Sequence, residues 1–305
     1  MTTIKMGVLG SIGISRGIAV DKLYPHYKTS SSQIFNIEGM PLHYRKTGKG
    51  PVLLLMHGVG SSLHTWDGWH QELSDDFTVL SIDLPSFGLT GPHPQNDYSV
   101  PMYMRVIDAL LDHLKIDNAF VGGNSFGGFI TWSYAVHNPK RVNKILLLDA
   151  AGFGTHRSDL KDFGFKLISH PILKRVTHLI TPKKLIKQSV YNAYGDRTKI
   201  DDKLVDRYYH LLLRKGNREG FSDVLSKTIL NEADYTPVLK SIQTPTYIIW
   251  GDRDRIISVK DAERFHAILP NSAIQIYKGV GHVPMEEIPK QSAQDARAFL
   301  LNDNI

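Results

Sequence analysis

The chain has no cysteine. Disulfide staples, thiolate nucleophiles and cysteine-ligated zinc are therefore excluded, and the absence fits a reducing compartment. Long apolar runs are missing as well. No stretch reaches about 18 uninterrupted apolar residues, so no transmembrane helix is expected. The 14 histidines are scattered, with no His-Glu-x-x-His run, and no metal is implied. No Gly-x-Gly-x-x-Gly follows a strand pattern, so neither a dinucleotide nor another cofactor is expected. No internal repeat or low-complexity tract interrupts the chain. The net charge of +6 comes without a nucleic-acid motif or an aromatic-interleaved basic strand, so nucleic acid is not an expected partner.

What is present is 305 residues, 42% of them hydrophobic, enough for one large core or a core with an inserted subdomain. Charge is unevenly placed. Residues 152–239 hold sixteen Lys/Arg against ten Asp/Glu, while the remainder has twenty of each. That surplus reads as a solvated helical surface, with attraction to anionic lipid or substrate as the alternative. Residues 1–32 read as a loose N-terminal arm ending in Ser30-Ser31-Ser32. A peripheral membrane contact, through the arm or the basic segment, is the other reading, so the expected location is cytoplasmic or membrane-associated. The oligomeric state stays open.

Two alternating runs, Gln33 to Ile37 and Pro41 to Lys46, read as a hairpin around Glu38-Gly39. From Val52 onward, continuous apolar runs alternate with helical spacing. Val52 to Met56, Thr78 to Ile82, Asn118 to Val121 and Lys144 to Leu148 are strands buried on both faces, separated by helices. This order predicts a parallel sheet with helices on both faces, and sites at the carboxyl ends of its strands. His57, Asp83, Ser125 and Asp149 fall at such ends. From residue 152 to 235 the pattern is helical only, with one stripe at Ile172, Val176, Leu179 and Ile180 and another at Leu204, Val205, Tyr208, Leu211 and Leu212. The sheet resumes at Thr246 to Trp250, followed by a helix, a last strand from Ala273 to Tyr277, and a final helix from about Pro289.

Gly123-Asn124-Ser125-Phe126-Gly127 is a Gly-x-Ser-x-Gly turn between a strand and a helix, the nucleophile elbow. Small residues two before and two after the serine let strand and helix cross. A serine hydroxyl is a poor nucleophile at neutral pH and needs a base, and the base needs a carboxylate. This turn expects them in the chain order Ser, Asp/Glu, His. Ser125, Asp254 and His282 supply that order, each in a loop after a strand. The same scaffold takes its oxyanion donors from the backbone N–H of Phe126 and Val59.

With these residues the chain resembles the α/β-hydrolase family. The resemblance runs from about Gln33 to Leu301. It is carried by His57-Gly58-Val59-Gly60, Asp83-Leu84-Pro85-Ser86-Phe87-Gly88, the serine turn, Trp250-Gly251-Asp252-Arg253-Asp254 and Gly281-His282-Val283-Pro284-Met285-Glu286. It implies a mostly parallel α/β sheet flanked by helices (residues 33–151 and 236–305) with an inserted helical lid (152–235). It implies Asp254 as the acid, with Asp149 an alternative acid position, Asp252 a capping or ion-pairing neighbour, and His57 a structural histidine. The expected partner is a small-molecule ester, and the expected activity is hydrolysis of carboxylic esters of hydrophobic substrates through an acyl-enzyme, as in carboxylesterases and lipases. Asn124 departs from the histidine many esterases carry there and is similar to the residue of carbon–carbon bond hydrolases and of some lipases, which leaves the substrate class open. Cleavage of a meta-cleavage dienone acid, or a non-catalytic binding role, are therefore the alternatives.

Overall fold

The computed structural model describes residues 17–153, 179–229 and 233–302. Eight strands form one sheet in the order β1-β2-β4-β3-β5-β6-β7-β8. They are β1 (Ser32–Ile37), β2 (Met40–Thr47), β3 (Val52–Met56), β4 (Thr78–Ile82), β5 (Ala119–Asn124), β6 (Val142–Leu148), β7 (Thr246–Gly251) and β8 (Ser272–Tyr277). β1–β2 and β2–β4 pair antiparallel and all other neighbours pair parallel. The hairpin is tight because Glu38 and Gly39 both take positive φ (49° and 79°), the geometry of a two-residue turn between right-twisted strands.

Helices follow in chain order: α1 (Val20–Tyr27), α2 (Asp67–Leu73), α3 (Val100–His113), α4 (Phe126–His137), α5 (Lys183–Ala193), α6 (Asp202–Leu212), α7 (Asn217–Val224), α8 (Thr236–Leu239), α9 (Lys260–Ile268), α10 (Pro284–Glu287) and α11 (Pro289–Leu301). The central strands are apolar over most of their length because both faces are covered, and the two-residue period sorts their side chains. Leu54, Met56, Ile145 and Leu147 join the core built on α3, α4 and α9. Leu53, Leu55, Leu146 and Leu148 join the core built on α2 and α11. Each of these eight side chains is fully buried.

Between β6 and β7 the described elements are helical. α6 starts where the Asp201 side chain accepts from the Leu204 N–H at 2.7 Å, and it buries Val205, Tyr209 and Leu211. The other stripe fares differently. Ile172 and Val176 lie outside the described residues, while Leu179 and Ile180 are exposed (54% and 41%) and form no buried face. No helix among the described residues is long and apolar enough to cross a membrane.

The N-terminal reading needs correction. Residues 1–16 lie outside the described residues, but from Ile18 onward the chain is not a loose arm. Ile18 bridges Arg214 in parallel, with its N–H to Leu213 O at 2.7 Å and its carbonyl accepting from Lys215 N at 2.8 Å. α1 buries Leu23 in a small cluster with Leu89, Tyr209, Leu211 and Leu213. His64 Nε2 donates to Tyr27 O at 2.9 Å, and Tyr27 OH meets His210 Nδ1 at 2.8 Å. The helix is held by residues far along the chain, so its own eight residues carry little of the signal.

Ser86 carries backbone strain away from the serine turn. Ser86 is fully buried with φ 87°, a region that favours glycine. Ser86→Gly removes that strain, worth about 1–3 kcal/mol, against a smaller gain in unfolded-chain freedom. A net stabilisation of about 1 kcal/mol is expected, seen as a rise in Tm of roughly 2–4 °C in thermal unfolding. A fall in Tm would assign the hydroxyl a stabilising contact larger than the strain.

Candidate active site

Ser125 sits between β5 and α4 with φ 56° and ψ −116°, a conformation disfavoured for a residue with a side chain. The turn is over-determined by its surroundings. Ser125 N–H donates to Leu148 O at 3.0 Å, and its carbonyl accepts from Phe129 N at 3.1 Å and Ala151 N at 3.0 Å. The expectation of small flanking residues is met atom by atom. A Cβ on Gly123 would lie 2.2 Å from the Gly127 carbonyl, one on Gly127 2.2 Å from Met56 O, and one on Gly128 2.4 Å from Ala150 Cβ. The Val59 loop also approaches, with a little more room: a Cβ on Gly58 would lie 3.0 Å from Ser125 Cβ. Phe126 heads α4, so its N–H belongs to the free first turn of that helix.

His282 and Asp254 come together in the loops after β8 and β7. His282 Nδ1 donates to Asp254 Oδ2 at 2.7 Å, with both side chains nearly or wholly buried. The other Asp254 oxygen accepts from Ile256 N at 2.7 Å and Ile257 N at 3.0 Å, which fixes the carboxylate. Asp252 caps the neighbouring loop instead, accepting from Gly279 N at 2.6 Å. The link to the serine turn runs through Asn124. Its buried amide donates to His282 O at 2.8 Å and to Leu148 O at 3.2 Å. Sequence reasoning treated Asn124 as a marker of subclass; the structure gives it the work of tying the histidine loop to the serine turn.

His57 is committed elsewhere. It is fully buried, Leu84 N donates to its Nε2 at 3.0 Å, and its Nδ1 donates to Gly58 O at 2.7 Å. Burial holds its pKa below the ordinary value, and the Asp83 charge opposes this only in part. Asp83 itself ties two loops to strand β2: Leu63 N and Leu89 N donate to it at 2.7 Å each, and His43 Nδ1 does so at 2.7 Å. Burial alone would raise the Asp83 carboxyl, but His43 beside it brings it down to about 2.

Asp149, the alternative acid position, is brought to the same point. It lies with the other two: one ligand atom each from Asp149, Asp254 and His282 fall within 4.8 Å of one another. Among the described residues this is the group near enough to share a cation, although the 2.7 Å imidazole–carboxylate bond already engages two of its atoms.

The helical insert grips the histidine loop. Ala193 O accepts from His282 N at 2.7 Å. Glu287 accepts from Gly195 N at 2.9 Å, Asp196 N at 3.0 Å and Gly281 N at 3.1 Å. Glu286 takes four donors: Thr65 at 2.5 Å, Tyr208 at 2.7 Å, Tyr194 at 2.8 Å and Arg207 at 2.7 Å. Burial would raise its pKa, but the Arg207 charge and the three hydroxyls more than offset that and hold it low. From the same insert, Phe221 lies over the Val59 loop, with a ring carbon 3.1 Å from where a Gly60 Cβ would be.

The profile of the alpha/beta hydrolase fold matches residues 51–289. An uncharacterized hydrolase of Bacillus subtilis is 27% identical over 87% of this chain and 96% of its own length. A 2-hydroxy-6-oxononadienedioate/2-hydroxy-6-oxononatrienedioate hydrolase of Cupriavidus pinatubonensis is 28% identical over 79% of this chain and 84% of its own. Among solved structures, a membrane phospholipase A superposes with a TM-score of 0.73 at 25% identity, covering 95% of this chain and 87% of its own. The matched span takes in the serine turn and the two loops that bring Asp254 to His282, and on that match the chain belongs to the alpha/beta hydrolase fold family.

Proposed function

We propose that the protein is a serine hydrolase that cleaves carboxylic esters of hydrophobic substrates through an acyl-enzyme. The observation that carries this reading is the 2.7 Å His282–Asp254 bond in a loop tied, through Asn124, to the turn that holds Ser125. Ser125 Oγ attacks the acyl carbon while His282 Nε2 takes its proton. Asp254 holds the imidazole in the tautomer that leaves Nε2 free and stabilises the cation. The N–H groups of Val59 and Phe126 receive the oxyanion. The alcohol departs with the proton from His282, and a water repeats the sequence on the acyl-enzyme. Helices α5 to α7 serve as the lid, with Phe221 presenting an apolar wall to the acyl group.

Carbon–carbon hydrolysis of a dienone acid is the second reading, favoured by Asn124 and by the Cupriavidus relative. Such a substrate brings a carboxylate that calls for a cation. Among the described residues the buried arginines of the insert already have partners: Arg207 with Glu286, Arg214 with Thr90 O and Lys215 O, and Arg218 with Thr181. This favours the ester.

p-Nitrophenyl esters of increasing acyl length, assayed with and without a serine-directed phosphonate, test the reading. Turnover abolished in step with labelling of Ser125 is the expected result. Cleavage of a dienone acid without ester turnover would move the protein to the second reading, and no labelling at all would make it a binding protein.

A further inference from the structure

We propose that Asp149 stands beside the His282–Asp254 pair as a neutral carboxylic acid whose O–H is given to the Asp254 carboxylate, a positioning residue for the catalytic acid. Three adjacent strands, β6, β7 and β8, deliver the three groups to one point. Asp149 is fully buried with φ 45°, and its backbone N–H is fixed to Ile249 O at 2.9 Å. One of its oxygens accepts from Gly251 N at 3.0 Å. The other, Oδ2, is buried and has no hydrogen-bond donor.

An ionised carboxylate in that position would leave a lone pair unserved in a dry site. It would also face two acids, Asp254 from the loop after β7 and Glu287 from α10, with the His282 imidazole the remaining titratable group at hand. A protonated carboxyl resolves both conflicts, since its O–H finds an acceptor in Asp254. Burial first, and the Asp254 charge second, push the Asp149 carboxyl well above its ordinary value of 3.8, in the same direction as the geometry. By donating to Asp254, the acid fixes the carboxylate that orients His282. It also lowers the basicity of that carboxylate, so the proton taken from Ser125 stays on the imidazole.

The kinetic part rests on the hydrolase reading; the ionisation does not, and the test separates them. A group whose folded pKa is raised binds its proton more tightly in the native state. Its contribution is therefore neutral below the unfolded value of 3.8 and becomes a growing penalty as pH rises toward the folded value. Asp149→Asn keeps an acceptor for Gly251 and a donor for Asp254 but cannot ionise. The Tm of Asp149→Asn minus that of the wild type should therefore be near its minimum at about pH 4 and widen by several degrees by about pH 8. A gap that stays constant over this range would overturn the proposal, whether or not any ester is turned over. In the kinetic arm, Asp149→Leu, which lacks the donor, should fall at least about ten-fold below Asp149→Asn in kcat, the scale of one charge-assisted hydrogen bond. Equal rates for the two variants would remove the positioning role. If the leucine variant does not fold, the asparagine series still decides the ionisation.

Discussion

Ser125→Ala and His282→Ala should each lower kcat on a p-nitrophenyl ester by roughly 10⁵–10⁶-fold, and the double variant should be no worse than either single one. The reason is that in the proposed mechanism nucleophile and base act as a unit. Once the hydroxyl is gone the imidazole has no proton to take, and once the imidazole is gone the hydroxyl stays protonated. What survives in all three variants is the modest acceleration from the oxyanion donors and from binding. Neither side chain supports the fold in a way that would mimic this loss. The serine turn is held through its backbone bonds to Leu148, Phe129 and Ala151, and the histidine loop through Ala193 and Asn124. Far-UV circular dichroism should therefore stay near wild type in both variants, and so should the Tm of Ser125→Ala, whereas His282→Ala leaves the buried Asp254 carboxylate without its imidazole and should melt earlier. A His282→Ala protein with full activity would require another base, and His57 is poorly suited because both of its ring nitrogens are engaged by the backbone of Gly58 and Leu84.

Glu286→Ala should lower stability by about 3–5 kcal/mol, a fall in Tm of roughly 10 °C. The Arg207 side chain is largely buried (18% exposed), and removing its partner strands a cation together with the hydroxyls of Tyr194, Tyr208 and Thr65. The pH dependence follows from the direction of the shift. The folded Glu286 pKa lies below its ordinary value of 4.5, so its contribution is complete above that pH and is lost as pH falls through the folded value. Glu286→Gln, which keeps size and hydrogen-bonding capacity, should flatten the acid side of the stability curve. Activity should fall too, because Glu286 lies four residues beyond His282 and braces α10. Urea titrations across that pH range decide it: an unchanged midpoint for Glu286→Ala at neutral pH would mean that Arg207 finds water.

Much of the fold and of the site is legible in the sequence because the signals are local. Val52 to Met56 and Ile145 to Leu148 are apolar at every position, which identifies central strands before any neighbour is known. Gly123 and Gly127 report a crossing of strand and helix within five residues. The order of Ser125, Asp254 and His282 follows from the turn type. What escapes is whatever depends on long loops closing. Asn124 looks like a generic turn residue until His282 O, 158 positions later, comes to rest on its amide. Glu286 and Glu287 look like the tail of a motif, and their partners lie in the insert some 80–90 residues upstream. α1 is short, contains Pro25, and has its one fully buried residue, Leu23, covered by residues around 209–213. Asp149 and Asp254 look like competitors along the chain because sequence cannot say that two strand ends abut.

The seam between insert and sheet also sets how this protein could be rebuilt. Gly195 and Gly281 meet with so little clearance that a Cβ on the first would strike the Gly279 carbonyl at 2.2 Å, and one on the second the Ala193 carbonyl at 2.3 Å. A foreign roof grafted here to change substrate preference would therefore have to bring its own version of 279–287 along with 193–196, as one cassette. Exchanged alone, a new roof would drag the His282 loop out of register with the Ser125 turn to which Asn124 ties it.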